Sequence, residues 1–591
     1  MCGIIGQLQK DQPISRSVFE QKVQQLIHRG PDGQGIWMSP NENFALGHTR
    51  LSFLDLSENG SQPFLSPDQQ FILTFNGEIY NFQELRSELK TSYQFKTQSD
   101  TEVVLAAYLN WGKDCVKHFD GMFAFCILDM KNNTAFLARD AFGIKPLYYA
   151  VNDKLFVFAS ELKGLIPTPG LSVELDPTSL IDYLVYRYVP SPKTIWKGIN
   201  KLAPAQLAIL DLTTFDIKLE TYWDPIDNLH FDKKYFDAEV YSTDFETSVK
   251  MHLQADVPIG GFLSGGYDSA ALAKAAHKLN TAYTTFSVGF TGWENSESSA
   301  ASKIAAQLQQ ENQQVELNND SLALLDQMPY VYDEPIADIS IIPTFAVSRL
   351  AAQSRKAVLS GEGADELFIG YHWQKEWHLK QQLPRWKKAF RPIPDLIAFY
   401  TNSMAMGEFN RSILIQALTP QYAKALPDDL SWFYRGHLKK TKEPIKALQY
   451  LDQKCFMGEL VLTKIDRASM ANSLEVRVPF LNKQTFEQIH CSPTSSYARA
   501  GISKFPIYEY LRGTFSNEHL KRPKQGFVGP DAYYMNKDFY KKAFEHAYLV
   551  SDGIIQKQFI EAELKENYNW RLWKLLVLEK WYAHWRQYCT K

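Results

Sequence analysis

Phe262-Leu263-Ser264-Gly265-Gly266-Tyr267-Asp268-Ser269 decides how the second half of this chain folds. The apolar run Ile259 to Leu263 predicts a buried strand, and Ser-Gly-Gly predicts a tight loop. Asp268 to Leu279, with small residues and Leu272 on one face, predicts a helix. Small residues at a helix start expose consecutive backbone N–H groups, which suits a phosphate. The lysine of a G-x-x-x-x-G-K-S/T loop is absent, so this is a phosphate loop of another kind. Outward from it, Thr284 to Phe290 reads as a strand, Ser298 to Leu308 as a helix, and Lys356 to Leu359 as a strand ending in a second Gly-rich loop. That alternation predicts a doubly wound parallel sheet, with a mainly helical remainder beyond 371.

The first half reads differently. Phe71 to Phe75, Met122 to Asp129, Thr134 to Ala138, Leu147 to Ala150 and Leu155 to Ala159 are short β-branched or aromatic runs between turns, hence antiparallel hairpins. Asn81 and Glu84 have the spacing of a capping box that opens a helix through Leu89. Prolines at 177, 190, 192 and 204 punctuate the chain before a boundary placed near 215. At 591 residues, with 45% hydrophobic and 22% charged residues, two or three ordinary globular domains are expected. A net charge of -3 argues against a nucleic-acid or anionic-membrane footprint. No apolar run approaches the roughly 20 residues that span a bilayer. The N-terminus lacks a signal-peptide pattern. Six cysteines without a C-x-x-C pair indicate neither zinc nor a disulfide framework, and reduced thiols fit the cytoplasm.

The chain opens Met1-Cys2-Gly3-Ile4-Ile5-Gly6. Once Met1 is removed, Cys2 carries a thiol beside a free α-amine, a nucleophile with its own base. His28-Arg29-Gly30-Pro31-Asp32-Gly33, Gly47-His48-Thr49-Arg50-Leu51, Phe75-Asn76-Gly77-Glu78-Ile79-Tyr80-Asn81, Ser99-Asp100-Thr101-Glu102, Ala138-Arg139-Asp140 and Gly143-Ile144-Lys145-Pro146 follow in order. Together these resemble the class II glutamine amidotransferase domain, an N-terminal-nucleophile hydrolase. The resemblance implies a four-layer αββα fold over residues 1–215. It implies that Cys2 attacks the glutamine amide, that Arg50 holds the α-carboxylate through a bidentate fork, and that Glu78 and Asp100 hold the α-ammonium. The Asn76 side-chain amide and the Gly77 backbone N–H would form the oxyanion hole. Arg29, Asp32, Asp140 and Lys145 read as scaffold.

Ser-Gly-Gly-x-Asp-Ser is similar to the signature of enzymes that split ATP between its α- and β-phosphates. Residues 216–591 resemble asparagine synthetase through that loop and through Ser287-Val288-Gly289-Phe290, Asp333-Glu334-Pro335, Ser360-Gly361-Glu362-Gly363-Ala364-Asp365-Glu366, Lys464-Ile465-Asp466-Arg467, Glu475-Val476-Arg477 and Arg522-Pro523-Lys524. The resemblance implies that Ser264, Gly265, Gly266, Asp268 and Ser269 cradle pyrophosphate. Val288, Ser360 and Gly361 would contact the nucleoside, and Asp268 and Asp365 would bind Mg²⁺. Glu362 would take a proton from attacking ammonia, and Lys524 would offset phosphate charge. Asp333, Glu334, Asp466 and Arg467 stay open between structure and substrate binding.

The reaction implied is ATP-dependent amidation of a carboxylate with glutamine nitrogen, with aspartate the first candidate and a homodimer the family habit. Tyr267, Ala270 and the run Gly292-Trp293-Glu294-Asn295 depart from the family pattern, which keeps a sugar uronate as the alternative acid. A non-catalytic glutamine- or ATP-binding relative is the third reading. It predicts loss of Cys2, Asp268 or Asp365, and all three are present.

Overall fold

The computed structural model describes residues 2–166, 168–226, 236–279, 281–293, 296–384, 394–441, 443–499, 502–516, 520, 529–530, 534, 536–566 and 570–589. Period-two alternation builds the first half. One six-stranded sheet runs β10 (Ile199–Lys201), β8 (Tyr148–Val151), β9 (Leu155–Ala159), β1 (Cys2–Gln9), β3 (Phe44–Arg50), β2 (Gly33–Met38). The other runs β12 (Ile217–Thr221), β11 (Gln206–Asp211), β7 (Thr134–Arg139), β6 (Gly121–Asp129), β5 (Phe71–Ile79), β4 (Phe64–Leu65). Neighbouring strands in both sheets run antiparallel. Successive side chains face opposite ways, so Ile4 and Leu8 pack against Ala124, Cys126 and Leu137 between the sheets. Ile5 faces outward onto Phe19 and Val23 of the helix Arg16–Gln24. On the far side, Tyr108 of the helix Asp100–Trp111 packs on Phe71 and Phe136, with ring centroids 6.2 and 5.2 Å apart. The order is helix, sheet, sheet, helix. The second sheet continues through Thr221, past the position 215 expected for its end.

The capping box expected at Asn81 does not form. Asn81 makes no side-chain cap; its Nδ2 donates to the His118 carbonyl (3.0 Å) and its Oδ1 accepts from the Asp120 N–H (3.0 Å). A tertiary tie takes the place of the local one.

The second half holds a five-stranded parallel sheet in the order β15 (Asn312–Leu317), β14 (Thr285–Phe290), β13 (Ile259–Phe262), β16 (Ala357–Leu359), β17 (Glu475–Arg477). β13 and β16 are neighbours, so the loops leaving their C-terminal ends lie side by side, at the edge where such sheets bind ligands. The rest is helical. The helix Trp570–Trp585 reaches back to the first half, where Lys574 Nζ donates to the Leu184 carbonyl (2.7 Å); within the second half, Trp581 Nε1 donates to the Asp333 carbonyl (2.6 Å). Among the described residues no helix is long and apolar enough to cross a membrane.

Beneath the second Gly-rich loop, Asp452 opens a π-helical segment, Asp452–Val461, and is fully buried. It accepts from Trp373 Nε1 (3.1 Å) and Gln374 Nε2 (2.7 Å). Burial pushes its carboxyl up to about 8, only partly offset by the Trp373, Tyr400 and Gln374 donors. An acid whose folded pKa lies above its unfolded value, about 4, favours the fold most below that value and loses the advantage as pH climbs to the folded value. Conformational stability should therefore fall on the order of 1 kcal/mol per pH unit between about 4 and 8 from this residue alone. Asp452→Asn should flatten that slope in urea unfolding followed across the same range.

Candidate active sites and their shared interface

Antiparallel register places the expected glutaminase residues. Cys2 pairs with Arg50 across β1 and β3, and Asn76, Gly77 and Glu78 end β5. The Cys2 backbone N–H donates to Asn76 Oδ1 (2.9 Å), while Asn76 Nδ2 is buried with no hydrogen-bond partner. One amide thus holds the nucleophile's backbone and keeps a donor unused, and a buried unused donor is costly unless a ligand completes it. Asp100 Oδ2 accepts from the Ile79 N–H (3.0 Å) one residue beyond Glu78. Ser99, not Asp100, caps the helix that follows. Cys2, Arg50, Gly77, Glu78 and Asp100 line one pocket with the segment Leu51 to Leu54. Gly77 is required by its partner strand: a Cβ there would lie 2.2 Å from the Met122 carbonyl oxygen.

The pocket's acids are poorly solvated. Burial raises Glu78 well above the carboxylate range; Arg477 opposes the shift, while Glu475 and Asp100 add to it. Burial pushes Asp100 up to about 6. Burial also raises the Cys2 thiol, partly countered by a hydrogen bond from the Leu51 backbone. Arg477 comes from β17, in the other half of the chain, and its Nη2 lies 3.4 Å from Glu78 Oε1.

At the parallel sheet, Ser269 Oγ accepts from the Ser264 N–H (3.0 Å) and Ser264 Oγ from the Gly266 N–H (3.1 Å), so the loop is shaped by its own serines. Gly266 caps the helix Tyr267–Lys278 without a side chain. A Cβ on Gly361 would lie 2.8 Å from Asp268 Cβ, so glycine lets the second loop close onto the first. Ser360 N–H donates to the Arg477 carbonyl (2.9 Å), and Val288 is buried in β14. The departure at Tyr267 has a structural use: its hydroxyl donates to the Leu520 carbonyl, away from the loop. Glu362 is partly buried, its Oε2 lacks a partner, and burial raises its carboxyl against the pull of the Ser360 hydroxyl and Lys464.

Lys504 was not singled out by any motif. Its ammonium pairs with Asp268 and, at 2.8 Å, with Asp365. Burial works against that charge, but the two carboxylates outweigh it and raise Lys504 above the ordinary lysine range. A cation therefore already sits between the two expected Mg²⁺ ligands. Two carboxylates suit Mg²⁺, which keeps waters and substrate phosphates for its other positions. Lys524 and Glu294-Asn295 lie outside the described residues.

The open residues resolve into a buried ionic network between the halves. Glu161 meets Arg29 (2.6 Å), Arg467 (2.9 Å) and Lys163; Arg29 also meets Asp466 (3.0 Å), and Lys163 meets Asp333 (2.9 Å). Glu334 pairs with Lys201 (2.8 Å). Arg29 Nε donates to the Cys2 carbonyl (3.1 Å), which ties this network to the nucleophile. Burial alone would raise Glu161, but Arg467, Lys163, His28 and Arg29 hold it well below the carboxylate range.

A cysteine pocket on an αββα sandwich joined to a serine-glycine loop on a parallel sheet defines a two-site amidotransferase. Residues 1–223 match the family described as glutamine amidotransferase domain, and residues 241–583 the one described as asparagine synthase. The chain belongs to the asparagine synthase family. It is 31% identical to asparagine synthetase [glutamine-hydrolyzing] 1 of Bacillus subtilis, covering 99% of this chain and 96% of that one. It is 28% identical to asparagine synthetase [glutamine-hydrolyzing] 3 of the same organism, covering 89% and 87%. It is also 27% identical to amidase chry2 of Gibberella zeae, over 89% of this chain and 87% of that one.

A Cβ on Gly370 would stand 1.8 Å from Asp365 Oδ1 and 2.4 Å from Lys504 Cε. Gly370→Ala should therefore expel the lysine–carboxylate pair and cost about 1–3 kcal/mol in urea unfolding. Gly436→Ala, with nothing within 4 Å of the new methyl, should be neutral or slightly stabilising.

Proposed function

We propose that this chain transfers the amide nitrogen of glutamine to the β-carboxylate of aspartate, consuming ATP to AMP and pyrophosphate. The observation that carries the glutaminase half is the split use of Asn76: Oδ1 holds the Cys2 backbone and Nδ2 is free where an oxyanion would form. With Met1 removed, the Cys2 α-amine accepts the thiol proton. The thiolate then attacks the glutamine amide carbon, the protonated α-amine returns its proton to the departing nitrogen as the C–N bond breaks, ammonia leaves, and water hydrolyses the thioester to glutamate. Arg50 binds the α-carboxylate, and Glu78 and Asp100 the α-ammonium.

At the second site a substrate carboxylate oxygen attacks the α-phosphorus, and the bond to the bridging oxygen of pyrophosphate breaks. Ser264, Gly265, Gly266, Asp268 and Ser269 receive the pyrophosphate, Val288, Ser360 and Gly361 the nucleoside, and Lys504 and Lys524 balance phosphate charge. Asp268 and Asp365 would hold Mg²⁺, which offsets charge on the leaving group. Ammonia attacks the acyl carbon, Glu362 takes its proton, and AMP departs. ATP as substrate supports a cytoplasmic reaction.

Charge favours aspartate over a uronate. Asp338 lies 3.3 Å from Lys464. Burial would raise its carboxyl, but Lys464 and Arg187 together hold it down to about 2. Lys464 also acts on Glu362. Lys464 and Arg187 beside Asp338 and Glu362 make a surface of both signs, which suits an acceptor with a second carboxylate and an ammonium; a uronate brings neither.

With Met1 removed, Mg-ATP and glutamine should release pyrophosphate only when aspartate is added, with asparagine formed in step. Cys2→Ala should abolish the glutamine-driven reaction and spare the ammonia-driven one. Glutamine hydrolysis without any aspartate response would sink the substrate assignment and make uronates the next acids to assay.

Because burial raises Glu362, its proton-accepting form is lost at higher pH than that of an ordinary glutamate. The acid limb of amidation, with the rate expressed per free ammonia, should be shifted upward accordingly. Glu362→Gln should remove that limb and slow amidation about 10²–10⁴-fold.

A further inference from the structure

We propose that the glutamine pocket is completed by the ATP-directed half of the chain, and that Asp256 is the residue that positions its covering loop. This rests on the glutaminase reading above.

The segment leaving β3 folds over the pocket and saturates one side of Arg50. Arg50 Nη1 donates to the Ser57 carbonyl (2.8 Å) and Nη2 to the Asp55 carbonyl (2.5 Å). The remaining edge of the guanidinium is aimed by these two carbonyls, so the loop sets the direction of the fork that would meet a carboxylate. Asp55 has φ 52°, the left-handed region that a non-glycine residue adopts at a cost. Such a residue persists when its surroundings over-determine it.

Asp256 supplies that constraint from 201 residues away. Its Oδ2 accepts from the Asp55 N–H (3.0 Å), and its own N–H donates to the Phe53 carbonyl (2.9 Å). This is a two-point clasp across the strained residue. Asp256 itself sits on a held segment: Arg477 Nη1 donates to the carbonyls of His252 and Gln254 (2.8 Å each). The same guanidinium faces Glu78. Three residues after Asp256, β13 begins and runs into the serine-glycine loop. Asp256 therefore fixes the loop that aims Arg50; it meets the pocket lining only at the Phe53 carbonyl, through its own backbone, and its side chain binds Asp55 outside the pocket.

Asp256 is exposed, so Asp256→Ala in the full chain should fold. It removes the side-chain half of the clasp and leaves the backbone half. We expect the KM for glutamine in glutamate release to rise about 3–10-fold, the worth of one solvent-exposed charge-assisted hydrogen bond. The kcat should stay within about twofold, since Cys2 and Asn76 are untouched. Ammonia-dependent pyrophosphate release should not change, and exchange of the Asp55 amide hydrogen should accelerate. Asp256→Asn keeps an acceptor and should restore most of the glutamine KM. An unchanged KM in Asp256→Ala overturns the proposal. So does an equal loss of the glutamine and ammonia reactions, which would mark Asp256 as a support of β13. A wild-type chain that does not hydrolyse glutamine at all removes the glutaminase reading itself, a result distinct from either.

Discussion

Glu161 cannot be ionised in its dry position without the cations around it, and those cations come from both halves of the chain. Arg29 and Lys163 belong to the sandwich, while Arg467 belongs to the helix Leu462–Met470 of the other half. Asp333 and Asp466 then satisfy what Glu161 leaves over. Breaking a buried pair by removing one member typically costs about 3–5 kcal/mol, because the other charge is stranded. The network thus contributes specificity of docking more than gross stability. Hydrophobic packing alone would tolerate sliding, whereas charges at these separations accept one arrangement. Through Arg29 and the Cys2 carbonyl, that arrangement also sets where the nucleophile stands.

The phosphate-type site depends on a second constraint, the adjacency of β13 and β16. Two parallel neighbours deliver two loops to one edge, and glycine at 361 lets them touch. Asp268 and Asp365 then converge although 97 positions separate their numbers in the sequence. Like charges so placed repel, and Lys504 offsets part of that repulsion. The lysine reaches in from a left-handed backbone position, φ 49°, just ahead of the helix Phe505–Leu511.

Both domain types were legible in the sequence because their signals are local. Cys2 stands at the chain start, the hairpins alternate with period two, and Ser264 to Ser269 lie within six residues. Strand, loop and helix follow from such neighbours. What escaped was chemistry assembled from distant positions. Lys504 meets Asp268 across 236 residues, and Arg29 meets Asp466 across 437. No spacing rule spans such gaps. Asn81 shows the reverse error: its local capping pattern is sound, yet the backbone of His118 and Asp120 outbids it for the same amide. Arg477 stood in a quoted motif, but its use in the glutamine pocket depends on how the halves dock.

Arg477 also explains why the two sites share one geometry. Its carbonyl receives the Ser360 N–H at the start of the second loop, and its guanidinium lies between Glu475 (2.5 Å), Glu78 and the 252–254 carbonyls. In β17 it pairs with Leu359, the last residue before that loop. A sheet register moves only by whole residues, and a close-packed core resists smaller shifts. A displacement of β17 would therefore carry the loop at one site and the counter-ion of Glu78 at the other in the same step. With Arg477 fully buried, nothing in between can absorb the motion.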